Sequence, residues 1–246
     1  FDKNNILTKL KSYSLTGINQ KIVDLQVLYV EVDSFIYYNS SQVANVNDLK
    51  SKITTSLTSY GKSSDLNRFG GRFKYSKVLN VIDNIDKSIT SNITRVKIRR
   101  NLNALINQFA QYELCFGNRF NVKPEGLNIK STGFRIQGQS DTVFITDTPN
   151  ADKLTGVISI VKRDETTGTN IVVVKSAGTV DYVHGEVNLT TINIVSTDKP
   201  NNIVEVQAFP DSNDVIGLQD LYLEFNIPNS TINMVKDTIT SGEQIS

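Results

Sequence analysis

After residues 123–126 (KPEG) the sequence loses every helical repeat, and this change most constrains what the chain can fold into. From there to about Asn226, short runs rich in β-branched and aromatic residues alternate with residues typical of turns. The polar stretch 162–170, which contains a glycine, is typical of a hairpin loop. We predict strands at 127–129, 133–137, 142–145, 156–162, 170–175, 181–184, 186–195, 203–208 and 221–226. Such a succession of short strands predicts a small sandwich or meander.

The region before this change combines strand patterns with a first amphipathic helix. Residues 22–38 carry apolar side chains on both alternating parities, which predicts one or two strands with both faces partly covered. A four-residue apolar repeat runs from Leu49 to Leu57, and Asn47 is a suitable N-cap before it. We therefore predict a helix that begins at Asn47 and ends near Gly61.

A second helix and two further strands are predicted in the same region. Apolar residues from Tyr75 to Ile85 follow the i, i+3, i+4, i+7 pattern of a helix with one apolar face. Residues 94–100 alternate strictly between basic and apolar side chains, and 111–116 is another candidate strand. The predicted fold class is therefore α+β, with a helix pair packed on strands and a β-rich domain, a sandwich or meander, after it.

The same patterns suggest how the chain is divided. The predicted parts are 1–21 and 22–125 as an α+β core, 126–227 as a β-rich domain that could be an insertion, and 228–246 as a helical tail. The tail has a thin apolar stripe, Ile232, Val235 and Ile239, and such a short segment needs a surface to dock on. Because the chain opens at Phe1 without a Met or a leader, we expect it to be the C-terminal portion of a longer protein.

Charge and cysteine content exclude several classes of partner. There are 26 Lys and Arg against 25 Asp and Glu, so the net charge of +1 produces no long-range field that favours nucleic acid or an anionic membrane. A single cysteine excludes an internal disulfide, and no apolar run approaches the ~20 residues that span a bilayer. We therefore expect this protein to recognise protein partners through local surface chemistry.

The sequence contains no convincing set of catalytic or metal-binding residues. His184 has no nucleophile motif or triad carboxylate near it, so it is read as a half-exposed histidine at the end of a strand. Cys115 lies between apolar neighbours, whereas a reactive thiolate is expected in an accessible, electropositive setting. We predict that the chain is not an enzyme and that it uses no cofactor, metal or small-molecule substrate.

Two stretches are candidates for a protein interface. The row Arg95, Lys97 and Arg99 forms either a solvated strand face or the rim of an interface with an acidic neighbour, and nucleic-acid binding would need a wider basic surface. The stretch 67–75 (NRFGGRFKY) combines arginines and aromatic residues, which are favoured at interfaces, but it also fits a helix-entry turn with its phenylalanines in the core. The predicted interface residues are Arg68, Phe69, Arg72, Phe73, Arg95, Lys97, Arg99, Ile232, Val235 and Ile239.

The order of these segments resembles a known family. The strand around YVEVD, the helices in NVNDLKSKITTSLTSYG and NRFGGRFKYSKVLNVIDNID, and the strand in SITSNITRVKIRR are similar to the core of the baseplate J-like family of contractile phage tails, in particular to its wedge proteins from T-even-like phages. FAQYELCFGNRFN and VIGLQDLYLEFN fit the same resemblance, which extends from Ile22 to about Asn121. None of these motifs is catalytic.

The resemblance implies a structural role in the virion. Proteins of this kind form dimers or a ring around the central hub of the tail, bind other baseplate wedge proteins, and link adjacent wedges during tail assembly and sheath contraction. The resemblance also implies assembly in the host cytoplasm before incorporation into the tail baseplate.

Two other functions are weighed against this one. The strand-rich residues 126–227 could form a receptor- or carbohydrate-binding module, although the chain has no Trp, and sugar rings commonly stack on aromatic side chains. A hydrolase acting on the cell wall would need a pair of carboxylates at a defined separation, and no such pair stands out in the sequence.

Overall fold

A computed structural model describes residues 3–13, 25–64 and 66–238 of the chain. The helices in these stretches are α1 (Lys3–Ser12), α2 (Val46–Gly61) and α3 (Tyr75–Asp83). The strands are β1 (Val27–Tyr38), β2 (Arg68–Phe69), β3 (Arg72–Phe73), β4 (Ile89–Asn103), β5 (Phe109–Cys115), β6 (Lys130–Ser131), β7 (Phe134–Ile136), β8 (Phe144–Pro149), β9 (Thr155–Arg163), β10 (Asn170–Asp181), β11 (Glu186–Thr197), β12 (Ile203–Ala208), β13 (Val215–Ile216), β14 (Tyr222–Phe225) and β15 (Thr231–Lys236). The prediction of a β-rich protein is confirmed.

Thirteen of the strands in the described stretches form one hydrogen-bonded sheet. Its order is β2-β14-β1-β4-β12-β6-β8-β9-β10-β11-β5, with β15 paired to β1 and β7 paired to β11, while β13 and β3 form a separate pair. The sheet passes through the boundaries proposed at 125/126 and 227/228, because β12, β14 and β15 all pair with strands of the first half. The division into domains stays a prediction.

Strand β1 is the centre of the first half of this sheet. It pairs antiparallel with β4, so that Tyr29 lies opposite Arg99. On its other side it pairs in parallel with β14, where Val27 lies opposite Tyr222, and then with β15, where Asp33 lies opposite Thr231. Parallel neighbours need long connections, and here β1 lies near the start of the described chain while its parallel neighbours β14 and β15 lie near its end.

Helices α2 and α3 lie on one face of this part of the sheet. Alternate residues of β1, from Leu28 to Ile36, are buried and share one core cluster with Leu49, Ile53 and Leu57 of α2. The two helices contact each other, α3 contacts β4, and α2 contacts β15. Each helix has one apolar side, and burial of that side stabilises it more than helix propensity does.

Hydrogen bonds to the first residues of α2 and α3 are formed by a neighbouring residue for α2 and by a distant residue for α3. The Oδ1 atom of Asn45 accepts the N–H of Asn47 at 2.9 Å, so Asn45 is the N-cap of α2, and the prediction of Asn47 was two residues late. At α3, the N–H of Tyr75 donates to Oδ1 of Asp214 at 2.8 Å. The Oη atom of Tyr75 donates to the carbonyl of Thr94 at 2.8 Å, which joins the helix start to β4.

The structure corrects three of the predicted elements. The tail was predicted to be helical, but Thr231–Lys236 forms β15. The spacing of Ile232 and Val235 suits a helix, yet β1 offers a row of backbone partners that only the folded chain places beside it. Of the predicted strands 181–184 and 127–129, residues 182–184 form the turn after β10, and 127–129 are irregular. Their backbone hydrogen bonds reach single partners, such as Asp147 for Leu127 and Leu154 for Tyr182, and do not extend into a ladder.

A buried carboxylate joins three segments of the β-rich half. The Asp147 side chain is almost completely buried, its Oδ1 accepts the N–H of Ile129 at 2.7 Å, and its Oδ2 accepts the hydroxyl of Tyr182 at 2.7 Å. Burial and this hydrogen bond raise the pKa of Tyr182 above its ordinary value. Tyr182 therefore remains a donor, and both oxygens of the buried carboxylate are satisfied.

We expect Tyr182→Phe to destabilise the protein by about 1–3 kcal/mol, because Oδ2 of buried Asp147 loses its donor. Urea unfolding followed by circular dichroism measures the change. The control Tyr112→Phe removes an exposed hydrogen bond that the Tyr112 hydroxyl accepts from the N–H of Leu105. Water can take the place of this hydroxyl, so the free energy of unfolding should change by no more than about 0.5 kcal/mol. Equal stabilities of the two variants would contradict the role of the buried link.

Candidate functional site

The face of β1 and β4 opposite the helices changes in character along its length. It carries the odd-numbered residues of β1 and those of β4, because paired residues of a ladder point to the same side. Towards β12 these side chains are charged and buried, and towards the other end of β1 they are apolar and exposed. We call this side the outer face.

A cluster of charges, with Arg99 and Glu31 buried at its centre, occupies the first end of the outer face. The Nε atom of Arg99 donates to Oε1 of Glu31 at 2.6 Å, and Nη1 lies 3.2 Å from Oε1 of Glu205 on β12. Oε2 of Glu205 lies 3.0 Å from Nζ of Lys199, and the Arg99 guanidinium lies over the Tyr29 ring at 4.1 Å. Each charge in the cluster thus has an opposite charge beside it, as burial requires.

The ion pairs of the outer face run diagonally across the ladder. Arg99 lies opposite Tyr29 but bonds to Glu31, and Lys97 lies opposite Glu31 but bonds to Asp33 at 3.0 Å. The same step would bring Arg95, which lies opposite Asp33, next to Phe35. The basic row predicted from sequence is therefore divided: Arg99 and Lys97 are engaged inside the chain, and Arg95 is exposed.

The other end of the outer face presents an exposed apolar patch. Phe35 and Ile93 lie directly opposite each other and are 44% and 55% exposed. Tyr37 and Val235, which also pair with each other, are half-buried beside them. We define the outer patch as Phe35, Tyr37, Ile93, Arg95 and Val235. Aromatic and aliphatic side chains with an adjacent arginine are the composition favoured in the core of a protein interface.

The predicted interface loop at 67–75 is also divided by the fold. Phe73 is buried with its ring centroid 5.2 Å from that of Phe225, as expected for a helix-entry turn, and cannot contact a partner in this conformation. Phe69 is 49% exposed and packs its ring edge-on against Tyr222 at 5.5 Å. Arg68 and Arg72 are exposed beside it. Three of the four predicted interface residues in this loop are therefore at the surface, and one is part of the core.

Two of the three predicted tail residues lie in the described part of the chain, and they have different positions. Ile232 is buried beneath α2, because it shares the inner face with Ser34 and Ile36 of β1. Val235 belongs to the outer patch, and Ile239 lies outside the described residues. Of the tail residues, only Val235 is placed at a described surface.

The candidate reactive groups lie at the turn between β10 and β11 and on the neighbouring strand β5. His184 is exposed in the turn after β10, where its Nδ1 lies 2.8 Å from Oδ2 of Asp181, and this hydrogen bond and the negative charge raise the pKa of the imidazole. Asp181 also accepts the backbone N–H groups of Val183 and His184, which is the arrangement of a capped turn. Burial raises the pKa of the Cys115 thiol, which favours the unreactive protonated form.

Two further kinds of site have no candidate in the described stretches of the chain. Within residues 3–13, 25–64 and 66–238, no group of three or more His, Cys, Asp or Glu side chains is placed to hold a metal ion. No helix in these stretches has the length and hydrophobicity to cross a membrane.

Sequence reasoning missed the central pair of the outer patch. Phe35 and Ile93 lie on strands that were predicted, but their exposure was not foreseen. A signal was present, because Phe35 and Tyr37 share the parity of Glu31 and Asp33, and polar residues on one parity mark a face away from the core. An apolar residue on the strand face that otherwise carries polar residues is a candidate for a binding surface.

Part of the chain that contains this region is similar to a known protein family. Residues 26–101 match the family described as "Baseplate structural protein gp6, C-terminal domain III". The match supports a structural role in a phage baseplate, and hence a place in the virion tail and among other baseplate proteins. No curated protein matches the chain. The assignment to the baseplate J-like family stays a prediction.

We expect Arg99→Met to cost about 3–5 kcal/mol, because it leaves Glu31 buried without its partner. Arg95→Met, on the same strand and the same face but exposed, is the matched control and should change stability by about 0.5 kcal/mol or less. Denaturant titration of both variants measures the difference. A cost below about 1 kcal/mol for Arg99→Met would show that the cluster does not support the outer face.

Proposed function

We propose that this chain is a structural subunit of a phage tail baseplate wedge, similar to the large wedge protein of T-even-like phages. In this role it forms dimers or a ring around the central hub and links adjacent wedges during tail assembly and sheath contraction. It holds neighbouring baseplate proteins in place and carries out no chemical reaction.

One observation carries the proposal: the matched segment 26–101 contains most of the outer patch. Phe35, Tyr37, Ile93 and Arg95 all lie within it, and Val235 is added by β15. The segment therefore presents a candidate binding face in the region that is similar to a baseplate structural domain. Apolar surface of this kind is buried favourably when a neighbouring subunit covers it.

The structure beneath the outer patch suits a subunit through which force is transmitted. Four of the five patch residues lie on β1 and β4, which pair with each other along most of the length of β1. Interdigitated side chains from two helices support the opposite face, and such close-packed interiors deform little and transmit strain. A surface that must hold a partner while the tail contracts requires this stiffness.

We expect the double substitution Phe35→Asp and Ile93→Asp to weaken association about thirtyfold or more, because two exposed anchors become charged. Sedimentation equilibrium of the isolated chain tests self-association, and co-purification with co-expressed wedge subunits tests binding to other proteins. The midpoint of thermal unfolding should fall only slightly, since both side chains are exposed and the change adds only the repulsion between two facing surface carboxylates.

Leu154→Asp is the matched control, because Leu154 is 50% exposed and lies in the β8–β9 turn, outside the matched segment. It should associate as the parent chain does. Unchanged assembly of the double variant would remove the outer patch from the proposed role. Images of purified tails that carry a tagged copy of the chain test its position, and a tag located anywhere but the baseplate would refute the wedge assignment.

A further inference from the structure

A groove lies between helix α2 and the open side of β15, away from the outer patch. Its volume is about 520 Å³, within the ~300–1,000 Å³ range of ligand clefts. Lys50 of α2 and Lys62, the C-cap residue directly after this helix, lie along one wall, and Phe225, Ile227 and Ile232 contribute to the floor. We call it the edge groove.

The open side of β15 borders this groove at Ile232 and continues beyond it to Met234. The N–H of Asp237 donates to the carbonyl of Tyr38 at 2.9 Å, which fixes the phase of the parallel ladder. Since alternate residues of such a strand bond to the same neighbour, the backbone N–H and C=O groups of Ile232 and Met234 point away from β1. No strand in the described part of the chain pairs with this side of β15.

The helix wall of the groove places two positive charges at a fixed separation. Lys50, Thr54, Thr58 and Lys62 recur every four residues, so they form one stripe along α2. The threonine hydroxyls donate to carbonyls of their own helix, at Lys50 and Thr54. The two lysines are therefore the side chains of this stripe that can donate to an incoming group.

The charge of the edge groove identifies the chemistry of its occupant. Two lysines line it, and none of its described lining side chains is acidic. Lys50 and Lys62 are separated by roughly 18 Å along the helix axis, which equals roughly five to six residues of extended strand. The matching segment carries acidic residues about four to six positions apart, with β-branched or apolar residues between them.

We propose that the edge groove binds an extended acidic segment of a partner protein, which adds to the sheet as the strand next to β15. Main-chain bonds to Ile232 and Met234 would hold the segment, and Lys50 and Lys62 would select its charge. A second copy of β15 is a poorer occupant, because it would bring the lysines of two grooves together. This inference does not depend on the baseplate role, since it uses a different surface.

The test uses two synthetic peptides, EVTVTVE and KVTVTVK, with the full chain. The acidic peptide should bind with saturable fluorescence anisotropy and should slow amide hydrogen exchange at Ile232 and Met234. Binding should weaken about tenfold or more in the double variant Lys50→Glu and Lys62→Glu, because two attractions become repulsions. That variant should instead prefer the basic peptide.

The double variant Lys87→Glu and Lys175→Glu is the matched control, because it makes the same change in net charge at exposed lysines outside the groove. It should bind the acidic peptide as the parent chain does. Three results would overturn the proposal: equal binding of both peptides, binding without protection of Ile232 and Met234, or protection of these amides by chain concentration alone. The last result would identify a second copy as the occupant.

Discussion

The pairing of β1 with strands from far along the chain is the interaction on which the rest of the structure depends. Val27 pairs with Tyr222 and Asp33 with Thr231, so the parallel side of β1 exists only after nearly the whole described chain has folded. Closing such long loops costs conformational entropy before the strand pairs repay it. The segment 26–101 that matches a baseplate domain therefore depends on strands outside itself to complete its sheet.

This pairing also creates the two surfaces of functional interest. Strand β15 contributes Val235 to the outer patch, and its open side forms one wall of the edge groove. The outer patch is apolar with an arginine beside it, whereas the edge groove combines unpaired backbone with two lysines. A subunit that connects more than one neighbour needs surfaces of different chemistry, because identical surfaces would compete for the same partner.

The sequence predicted most elements whose pattern is local. The four-residue repeat from Leu49 to Leu57 gave α2, and the alternation at 94–100 lies within β4, although the strand extends beyond it at both ends. The prediction of a helical tail was wrong because Ile232 and Val235 fit a helical spacing, whereas in the fold their segment pairs with β1 as a strand. The short strands β2, β3 and β13 have two residues each, which is too few to show an alternating pattern in the sequence.

Among the candidate interface residues, the sequence determined chemistry, and the tertiary structure decided exposure. The sequence identified Arg95, Lys97 and Arg99 as a basic row, because alternation is a property of neighbouring residues. Only the fold brought Glu31 and Glu205 beside Arg99, which buried that residue and left Arg95 at the surface. The open side of β15 likewise has no signature in the sequence, because an edge is defined by the strands that do not pair with it.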